Sequence, residues 1–273
     1  AAVIVGQDVF LGTDSQGLFR FSGGELTEIS PQGPLVNDTF HMALQENQIW
    51  IVHGNFSGSY NPHPLDSYGI SRQVEKSWQN IHYENVFNAK SLGRVIVDPN
   101  NPTTVYVCSF HSGLLEIFDG IPITLWDHTN SGLEALDNTK FSVPANYRSI
   151  RLRDATFDSK GNLWSITALV EKGLKKRGAS GEWNSVNLLP EIGIVSNGLG
   201  YSNMVISDSD EIFVGSIVSG LIGYREINGN SLLKAINTEN NLPVNDVRAL
   251  ALDADNHLWI GTTEGLRVLY NAS

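Results

Sequence analysis

The residues best suited to bind a ligand are four arginines and one asparagine, namely Arg148, Arg151, Arg153, Asn203 and Arg248. A guanidinium presents a planar fork of N–H donors that matches the geometry of carboxylate and phosphate groups. We therefore treat these five residues as a candidate site for an anionic group. The alternative is that the arginines form salt bridges with acidic neighbours such as Asp154 and Asp246.

A second candidate set lies in the stretch "HGNFSGSYNPHPLDSY", residues 53–68, which is rich in glycine, proline and serine. Its members are His53, Phe56, Tyr60, His63 and Tyr68. The aromatic rings could stack on sugar rings or contact a partner protein, and the alternative is that the segment packs onto its own domain. Two histidines with a carboxylate could hold a metal, but their separation is not a ligand spacing, so we predict no metal site.

Motifs for catalysis are scarce in this sequence. It contains no G-x-S-x-G, H-E-x-x-H, C-x-x-C or P-loop pattern. The segments "DSKGNLW" (158–164) and "DADNHLW" (253–259) resemble the Asp-box of sialidases but lack its Ser and Thr pattern, so we predict that they are hairpin turns. The single cysteine, Cys108, lies in an apolar strand pattern and is predicted to be a buried hydrophobe. We predict no catalytic residue and no cofactor.

The elements that would position these residues come from an internal repeat. A short apolar segment with an aromatic second residue recurs about every 50 residues, a spacing typical of propeller blades. The aromatic positions are Phe10, Trp50, Tyr106, Trp164, Phe213 and Trp259. A glycine followed by leucine or isoleucine comes after each copy, and alternating apolar and polar residues predict three or four short strands per repeat.

The repeat predicts an all-β fold, a β-propeller with six four-stranded blades, and it leaves open a seventh blade in a longer protein. Residues 1–273 are predicted to form one domain. The last copy lacks a fourth strand. Either its edge stays open, or the N-terminal "AAVIV" closes it, or the sequence is part of a longer multi-domain protein, which is the explanation we favour.

Propeller geometry places the candidate residues on one face. The first strand of each blade lines the central channel, and counting back five residues from the aspartate after three of these strands leads to Arg153, Asn203 and Arg248. The segments 53–68 and 129–147 are predicted to be long loops on the same face. Long loops in compact domains are usually functional or disordered, so we expect the interaction surface there.

Composition excludes some partners. The 273 residues carry a formal net charge of −11, from 18 basic and 29 acidic side chains. Nucleic-acid backbones would be repelled by this charge, so we predict no nucleic-acid partner. No stretch approaches the roughly 18 apolar residues that a membrane-spanning helix needs, and we see no basic-then-apolar leader.

The repeat also carries a resemblance to known families. The segment "NNLPVNDVRALALDADNHLWIGTTEGL" resembles the repeat of two-component-regulator propellers, which occur in extracytoplasmic sensors. The segments 97–120, 128–134 and 151–186 are similar to a narrower group, the PorZ-type propeller proteins of bacterial type IX secretion. The resemblance covers about two-thirds of the sequence and brings no catalytic residue with it.

The resemblance implies a non-enzymatic scaffold or binding domain in the periplasm or at the outer-membrane surface, accessory to type IX secretion and cargo attachment. Its partners would be proteins of the secretion complex or an anionic glycan such as lipopolysaccharide. One alternative is the oligosaccharide-sensing propeller of a hybrid two-component regulator. Another is a propeller lyase, lactonase or hydrolase, because such enzymes draw their active residues from several blades.

Overall fold

The computed structural model describes residues 1–13, 17–30, 32–45 and 47–270. These residues form six antiparallel sheets whose strands follow one another in sequence order. Blade 1 contains β1 (Ala2–Val5), β2 (Asp8–Gly12), β3 (Leu18–Ser22) and β4 (Glu25–Glu28). Blade 2 contains β5 (His41–Gln45), β6 (Gln48–Val52), β7 (Ile70–Val74) and β8 (Ser77–Ile81).

The central blades are the most regular. Blade 3 contains β9 (Leu92–Val97), β10 (Thr104–Ser109), β11 (Gly113–Phe118) and β12 (Ile121–Trp126). Blade 4 contains β13 (Arg151–Phe157), β14 (Leu163–Ala168), β15 (Leu174–Arg177) and β16 (Trp183–Val186). Blade 5 contains β17 (Tyr201–Ile206), β18 (Ile212–Ser216), β19 (Gly220–Ile227) and β20 (Asn230–Ile236).

Blade 6 has three strands in the described part of the chain, β21 (Val247–Leu252), β22 (Leu258–Thr262) and β23 (Gly265–Leu269). The predicted all-β propeller of six blades is thus confirmed, and no fourth strand of the last copy lies within the described residues, in line with the sequence. The "AAVIV" segment does not close blade 6, because residues 2–5 pair with β2 as the first strand of blade 1. Short helices lie between strands, α1 (Asn138–Phe141) and α2 (Leu189–Ile192), with 3-10 turns at Tyr83–Asn85 and Thr238–Asn240.

The turn between the first and second strands has the same hydrogen bond in blade 4 and in blade 6, from a tryptophan to an aspartate. Asp158 Oδ2 accepts from the indole N–H of Trp164 at 2.9 Å, and Asp253 Oδ2 accepts from that of Trp259 at 2.9 Å. Asp158 Oδ1 also accepts from the backbone N–H of Asn162 at 2.9 Å, which closes the turn. The prediction that 158–164 and 253–259 are hairpin turns is confirmed.

Apolar packing joins blades 2 to 6. Four buried clusters lie between blades 2 and 3, 3 and 4, 4 and 5, and 5 and 6. Cys108 belongs to the cluster between blades 3 and 4, as predicted for a buried hydrophobe. Blade 1 contributes to none of these four clusters of described residues, and its inner strand is exposed, with Ile4 at 73%. The continuous core therefore runs as an arc from blade 2 to blade 6.

Polar contacts tie the inner strands of that arc together. The buried carboxylate of Asp154 lies 2.8 Å from Nε of Arg94 on β9 and accepts from the backbone N–H of Met204 on β17 at 3.0 Å. Asn203 then bridges to β21, donating to the carbonyl of Leu250 and accepting from its N–H, both at 2.8 Å. These contacts fix the spacing of blades 3 to 6 around the channel.

The inner strands of blades 3 to 6 each carry a β-bulge at the same height. The strand ladders skip Gly93 in β9, Arg153 in β13, Ser202 and Asn203 in β17, and Arg248 in β21. A bulge leaves one residue unpaired and changes the direction of its side chain. Three of the five candidate anion-binding residues are therefore at the bulges.

Candidate functional site

The two candidate sets meet in the structure. The long loop of blade 2, residues 53–69, reaches the arginines on the inner strands of blades 4 and 6. Arg151 Nη1 donates to the carbonyl oxygen of Tyr60 at 3.4 Å, and Arg248 Nη1 donates to that of Gly58 at 2.5 Å. The loop from blade 2 thus spans the channel mouth, and its backbone carbonyls accept hydrogen bonds from two of the guanidinium groups.

Arg153 lies beneath this loop against aromatic rings. Its guanidinium carbon is 4.7 Å from the ring centre of Phe56 and 5.6 Å from that of Tyr60, distances at which a cation is attracted to a ring face. The Nε atom of Arg153 is buried and makes no hydrogen bond within the described part of the chain. The neighbouring Asp154 pairs with Arg94 instead, so no salt bridge to Asp154 satisfies Arg153.

Arg151 and Arg248 differ in their electrostatic surroundings. Burial lowers the pKa of Arg151, and the nearby Tyr147 partly opposes that effect. The hydrogen bond to Asp246 raises the pKa of Arg248, whose Nη2 donates to Asp246 Oδ2 at 2.8 Å. The salt-bridge alternative therefore describes Arg248, whereas Arg151 has a tyrosine and a carbonyl as its neighbours.

The other two residues of the first set have structural contacts. Arg148 is exposed, and its Nη1 donates to the carbonyls of Ala145 and Tyr147, both at 2.8 Å, so it braces its own loop. Asn203 is held by its two hydrogen bonds to Leu250. The structure thus brings Arg151, Arg153 and Arg248 under the loop, and places Arg148 at the rim.

The residues of the second candidate set also divide into members that are packed into the protein and members that are exposed. His53 is 2% exposed, with Nδ1 2.8 Å from the carbonyl of Asp38 and Nε2 3.0 Å from Ser71 Oγ, so it anchors the start of the loop. Tyr60 is buried and Phe56 is half-buried, both against the arginines. His63 and Tyr68 remain exposed.

Two further aromatic residues belong to the site and were missed from the sequence. Phe56 packs edge-on against Phe40, with ring centres 4.9 Å apart, and in a tilted arrangement against Phe110, with ring centres 4.8 Å apart. Phe40 directly precedes β5 and Phe110 directly follows β10. Each therefore lies at the strand end from which the long loops of this face emerge. That position was the signal that could have identified them.

Two histidines near this site have lowered pKa values. Burial, and to a lesser extent the charges of Arg94 and Arg153, lower the pKa of His41 to about 4. Burial also lowers the pKa of His111 to about 4, with Arg151 among the charges that contribute. Both imidazoles are therefore neutral at pH 7. The site is a cluster of guanidinium groups and aromatic faces in an acidic protein, which suits a ligand that combines a ring with a carboxylate or phosphate.

One group of side chains has the composition of a metal site but lies elsewhere. The ligand atoms of Asp253, Asp255 and His257 are all within 4.8 Å of one another. However, Asp253 Oδ2 already accepts from Trp259 and lies 3.1 Å from His257 Nδ1. These contacts explain the group as a hairpin turn, and we assign no metal to it.

The strand order and the repeat define a β-propeller, and its last repeat is similar to that of two-component-regulator propellers. The model of the family described as two component regulator propeller matches residues 241–264, which include β21 and β22. The resemblance seen in the sequence is confirmed at this level. No curated protein matches the chain. Among the described residues, no helix is both long and apolar enough to cross a membrane.

Particular solved structures share the fold. PorZ, described as an essential surface component of the type IX secretion system of Porphyromonas gingivalis, aligns over 98% of this chain and 38% of its own, with 19% identity and a TM-score of 0.75. The extracellular domain of a putative hybrid two-component system from B. thetaiotaomicron aligns over 98% and 32%, with 19% identity and a TM-score of 0.59.

A propeller enzyme is also similar. A catalytically inactive virginiamycin B lyase from Staphylococcus aureus aligns over 98% of this chain and 78% of its own, with 11% identity and a TM-score of 0.57. At these identities the likeness shows the fold alone. This chain spans little more than a third of the length of PorZ.

Proposed function

We propose that this chain is a non-enzymatic, extracytoplasmic binding propeller that serves as an accessory domain in type IX secretion and cargo attachment. The observation that carries the proposal is the channel mouth, where Arg153 lies against the rings of Phe56 and Tyr60 and Arg151 donates to the carbonyl of Tyr60, and neither has a carboxylate partner in any described contact. The likeness in fold to PorZ supports the secretion context. The ligand would be an anionic glycan such as a lipopolysaccharide fragment, or an acidic segment of a secretion-complex protein.

The chemistry of the mouth favours binding over catalysis. The inner-strand carboxylate nearest to the arginines, Asp154, is fully buried and engaged by Arg94 and by the backbone N–H of Met204. A general acid or base must reach the proton that it transfers, and this carboxylate faces its neighbouring strands instead. The arginines can neutralise and orient an anion, which is what a binding domain requires.

The test is binding of the purified chain to lipopolysaccharide fragments and to neutral oligosaccharides, measured by calorimetry. We expect anionic fragments to bind the wild type and to bind the Arg151→Ala, Arg153→Ala double variant at least about tenfold more weakly, since a hydrogen bond to a charged group contributes about 1.5–3 kcal/mol. Arg267→Ala is the matched control, because Arg267 is exposed on the outer strand of blade 6 and donates only to the carbonyl of the adjacent Leu266. Equal binding by wild type and double variant would refute the anion site.

The second candidate function is an oligosaccharide sensor of a hybrid two-component system. The observation that favours it is the aromatic group at the mouth, where the exposed ring of Phe40 packs on Phe56 and could stack on a neutral sugar. The same titrations distinguish the two functions. Neutral sugars that bind wild type and the arginine double variant equally would support the sensor.

A further inference from the structure

The tip of the blade 2 loop, residues 57–61, is a compact turn closed by its own hydrogen bonds. The backbone N–H of Ser57 donates to the carbonyl of Asn61, and the N–H of Tyr60 donates to the carbonyl of Ser57, both at 2.8 Å. The hydroxyl of Ser57 also accepts from the N–H of Asn61 at 3.1 Å. Because these bonds lie within the tip, they are kept if the tip moves as one unit.

The contacts that hold the tip over the channel mouth come from the arginines. The carbonyls of Gly58 and Tyr60 accept hydrogen bonds from Arg248 and Arg151. The ring centre of Tyr60 lies 5.6 Å from the guanidinium carbon of Arg153 and 5.7 Å from that of Arg248. The tip therefore occupies the same side chains that would bind an anion.

The base of the loop is fixed independently of these arginines. The N–H of Gly54 donates to the carbonyl of Leu92, and the N–H of Ser91 donates to the carbonyl of Asp66, both at 3.0 Å. On the returning arm, His63 Nε2 lies 3.1 Å from the hydroxyl of Tyr147. The loop can thus release its tip from the mouth while its base remains attached to blade 3.

The tip satisfies the arginines only in part. The Nε atoms of Arg151 and Arg153 are both buried and make no hydrogen bond within the described residues. A buried donor without an acceptor is unfavourable, and a native structure with such groups calls for an explanation. Anionic oxygens accept stronger hydrogen bonds from a guanidinium than neutral carbonyls do. An anion is therefore a better occupant of this site than the tip.

We propose that the tip is an internal substitute for the ligand, which closes the arginine site and is displaced when an anion binds. This inference rests on the proposed function, because it concerns the regulation of the same site. The apparent affinity of a site falls with the fraction of molecules in the competent state, so the closed tip weakens binding. A ligand with two anionic groups replaces both carbonyls, of Gly58 and of Tyr60, and is favoured over a ligand with one.

The closed state is tested without any ligand. Phenylglyoxal modifies accessible guanidinium groups, and mass spectrometry of peptides gives the rate at each arginine. Arg267 is the internal reference, because it is exposed and donates to the carbonyl of the adjacent Leu266. We expect Arg151 and Arg153 to react at least about tenfold more slowly than Arg267, since two hydrogen bonds to charged groups favour the closed tip by that factor or more.

Two variants open the tip without changing an arginine. A Cβ atom at Gly200 would meet Tyr60 Cδ2 at 2.7 Å, so Gly200→Val displaces the tip, and Gly198→Val is its control, with the nearest atoms at 3.8 Å. His63→Ala removes the contact of the returning arm and keeps the test valid if circular dichroism shows that Gly200→Val does not fold. We expect each opening variant to speed the modification of Arg153 about two- to tenfold, the factor of one lost hydrogen bond.

Displacement by an anion is tested with inorganic pyrophosphate, which carries two linked anionic groups. Chymotrypsin cleaves after tyrosine, so cleavage after Tyr60 measures release of the tip. We expect this cleavage to be at least about threefold faster at saturating pyrophosphate than without it. A lipopolysaccharide fragment that fails to bind while pyrophosphate releases the tip would refute the proposed ligand and support this inference.

Three results would overturn the inference. The first is modification of Arg151 and Arg153 in wild type as fast as that of Arg267. The second is a wild-type rate of modification at Arg153 in every opening variant that folds. The third is cleavage after Tyr60 that is unchanged or slower with pyrophosphate, because the tip would then stay in place or close over the bound anion.

Discussion

The guanidinium carbon of Arg153, on the inner strand of blade 4, lies 4.7 Å from the ring centre of Phe56, in a loop of blade 2. Two blades that are not neighbours in the ring are thereby joined across the channel mouth. Replacing Arg153 by alanine removes this contact and the one to Tyr60. We expect a loss of about 1 kcal/mol in the free energy of unfolding, measured by urea titration.

The control for this change is Arg267→Ala, which removes an exposed arginine whose hydrogen bond is to the adjacent backbone carbonyl of Leu266. Its effect should stay within about 0.5 kcal/mol, as for most surface substitutions. Equal losses in the two variants would mean that the stacking on Phe56 and Tyr60 contributes nothing to stability.

The buried ion pair between Arg94 and Asp154 should be a stability determinant. Asp154 is 0% exposed, and removing it leaves Arg94 without its carboxylate and the N–H of Met204 without its acceptor. We expect Asp154→Ala to cost about 3–5 kcal/mol. The double variant with Arg94→Ala should lose less than the sum of the single losses, and strict additivity in the urea titrations would contradict the pairing.

The two Asp–Trp turns make a matched pair that differs in burial. Trp164 is 3% exposed and Trp259 is 40% exposed, although both donate to an aspartate at 2.9 Å. Asp158→Ala leaves a buried indole N–H without a partner, at a cost of about 2 kcal/mol. Asp253→Ala should cost clearly less, because water can replace the aspartate at Trp259. Thermal unfolding of both variants measures the difference, and the reverse order would contradict it.

Stability should fall on mild acidification because of His41 and His111. Both have an ordinary pKa of 6.5 and a folded pKa of about 4, so the unfolded chain binds more protons between these values. Stability is then fully present above about pH 6.5 and is lost as the pH falls toward 4. The urea midpoint should therefore decrease from pH 7 to pH 5. His41→Gln should flatten this dependence, and an unchanged slope would exclude His41 as a contributor.

The loop should depend on one close contact beneath Tyr60. A Cβ atom at Gly200 would meet Tyr60 Cδ2 at 2.7 Å and Ile217 Cδ1 at 3.0 Å, so Gly200→Val displaces the tyrosine. We expect a protease to cleave Gly200→Val faster than wild type within residues 55–60. Mass spectrometry of the fragments measures this cleavage. Gly198→Val is the control, because its nearest atoms would lie 3.8 Å away, and equal cleavage of both variants would show that Tyr60 does not hold the loop.

The blades could be predicted from sequence because each is a local unit. Strands, turns and the glycine before the third strand recur within about 50 residues, and hairpins form between neighbouring segments. Counting back from the turn aspartates even identified Arg153, Asn203 and Arg248, which the structure places at the bulges. The repeat gives the position of a residue along its strand, and this position was sufficient to identify the three residues.

Contacts between distant segments could not be predicted in this way. The hydrogen bond from Arg248 to Gly58 joins the last blade to a loop of the second, and no local pattern encodes it. The burial of His53 and the pairing of Asp154 with Arg94 depend likewise on how blades pack. Nor did the repeat reveal that blade 1, whose pattern matches the others, lies outside the described buried clusters.

In blades 3 to 6 the bulge lies at the same position along the inner strand. It separates the residue that can make contacts outside the sheet from the residues that hold the sheet together. A bulge residue lies outside the regular pairing of the ladder, so different side chains fit there while the sheet keeps its pairing. In this chain the bulges hold glycine in blade 3, arginine in blades 4 and 6, and a Ser202–Asn203 pair in blade 5. Each of these four blades thus carries one position whose side chain can make a contact outside its own sheet, as Asn203 does with Leu250 and Arg153 does with Phe56, while the paired residues hold the sheet together.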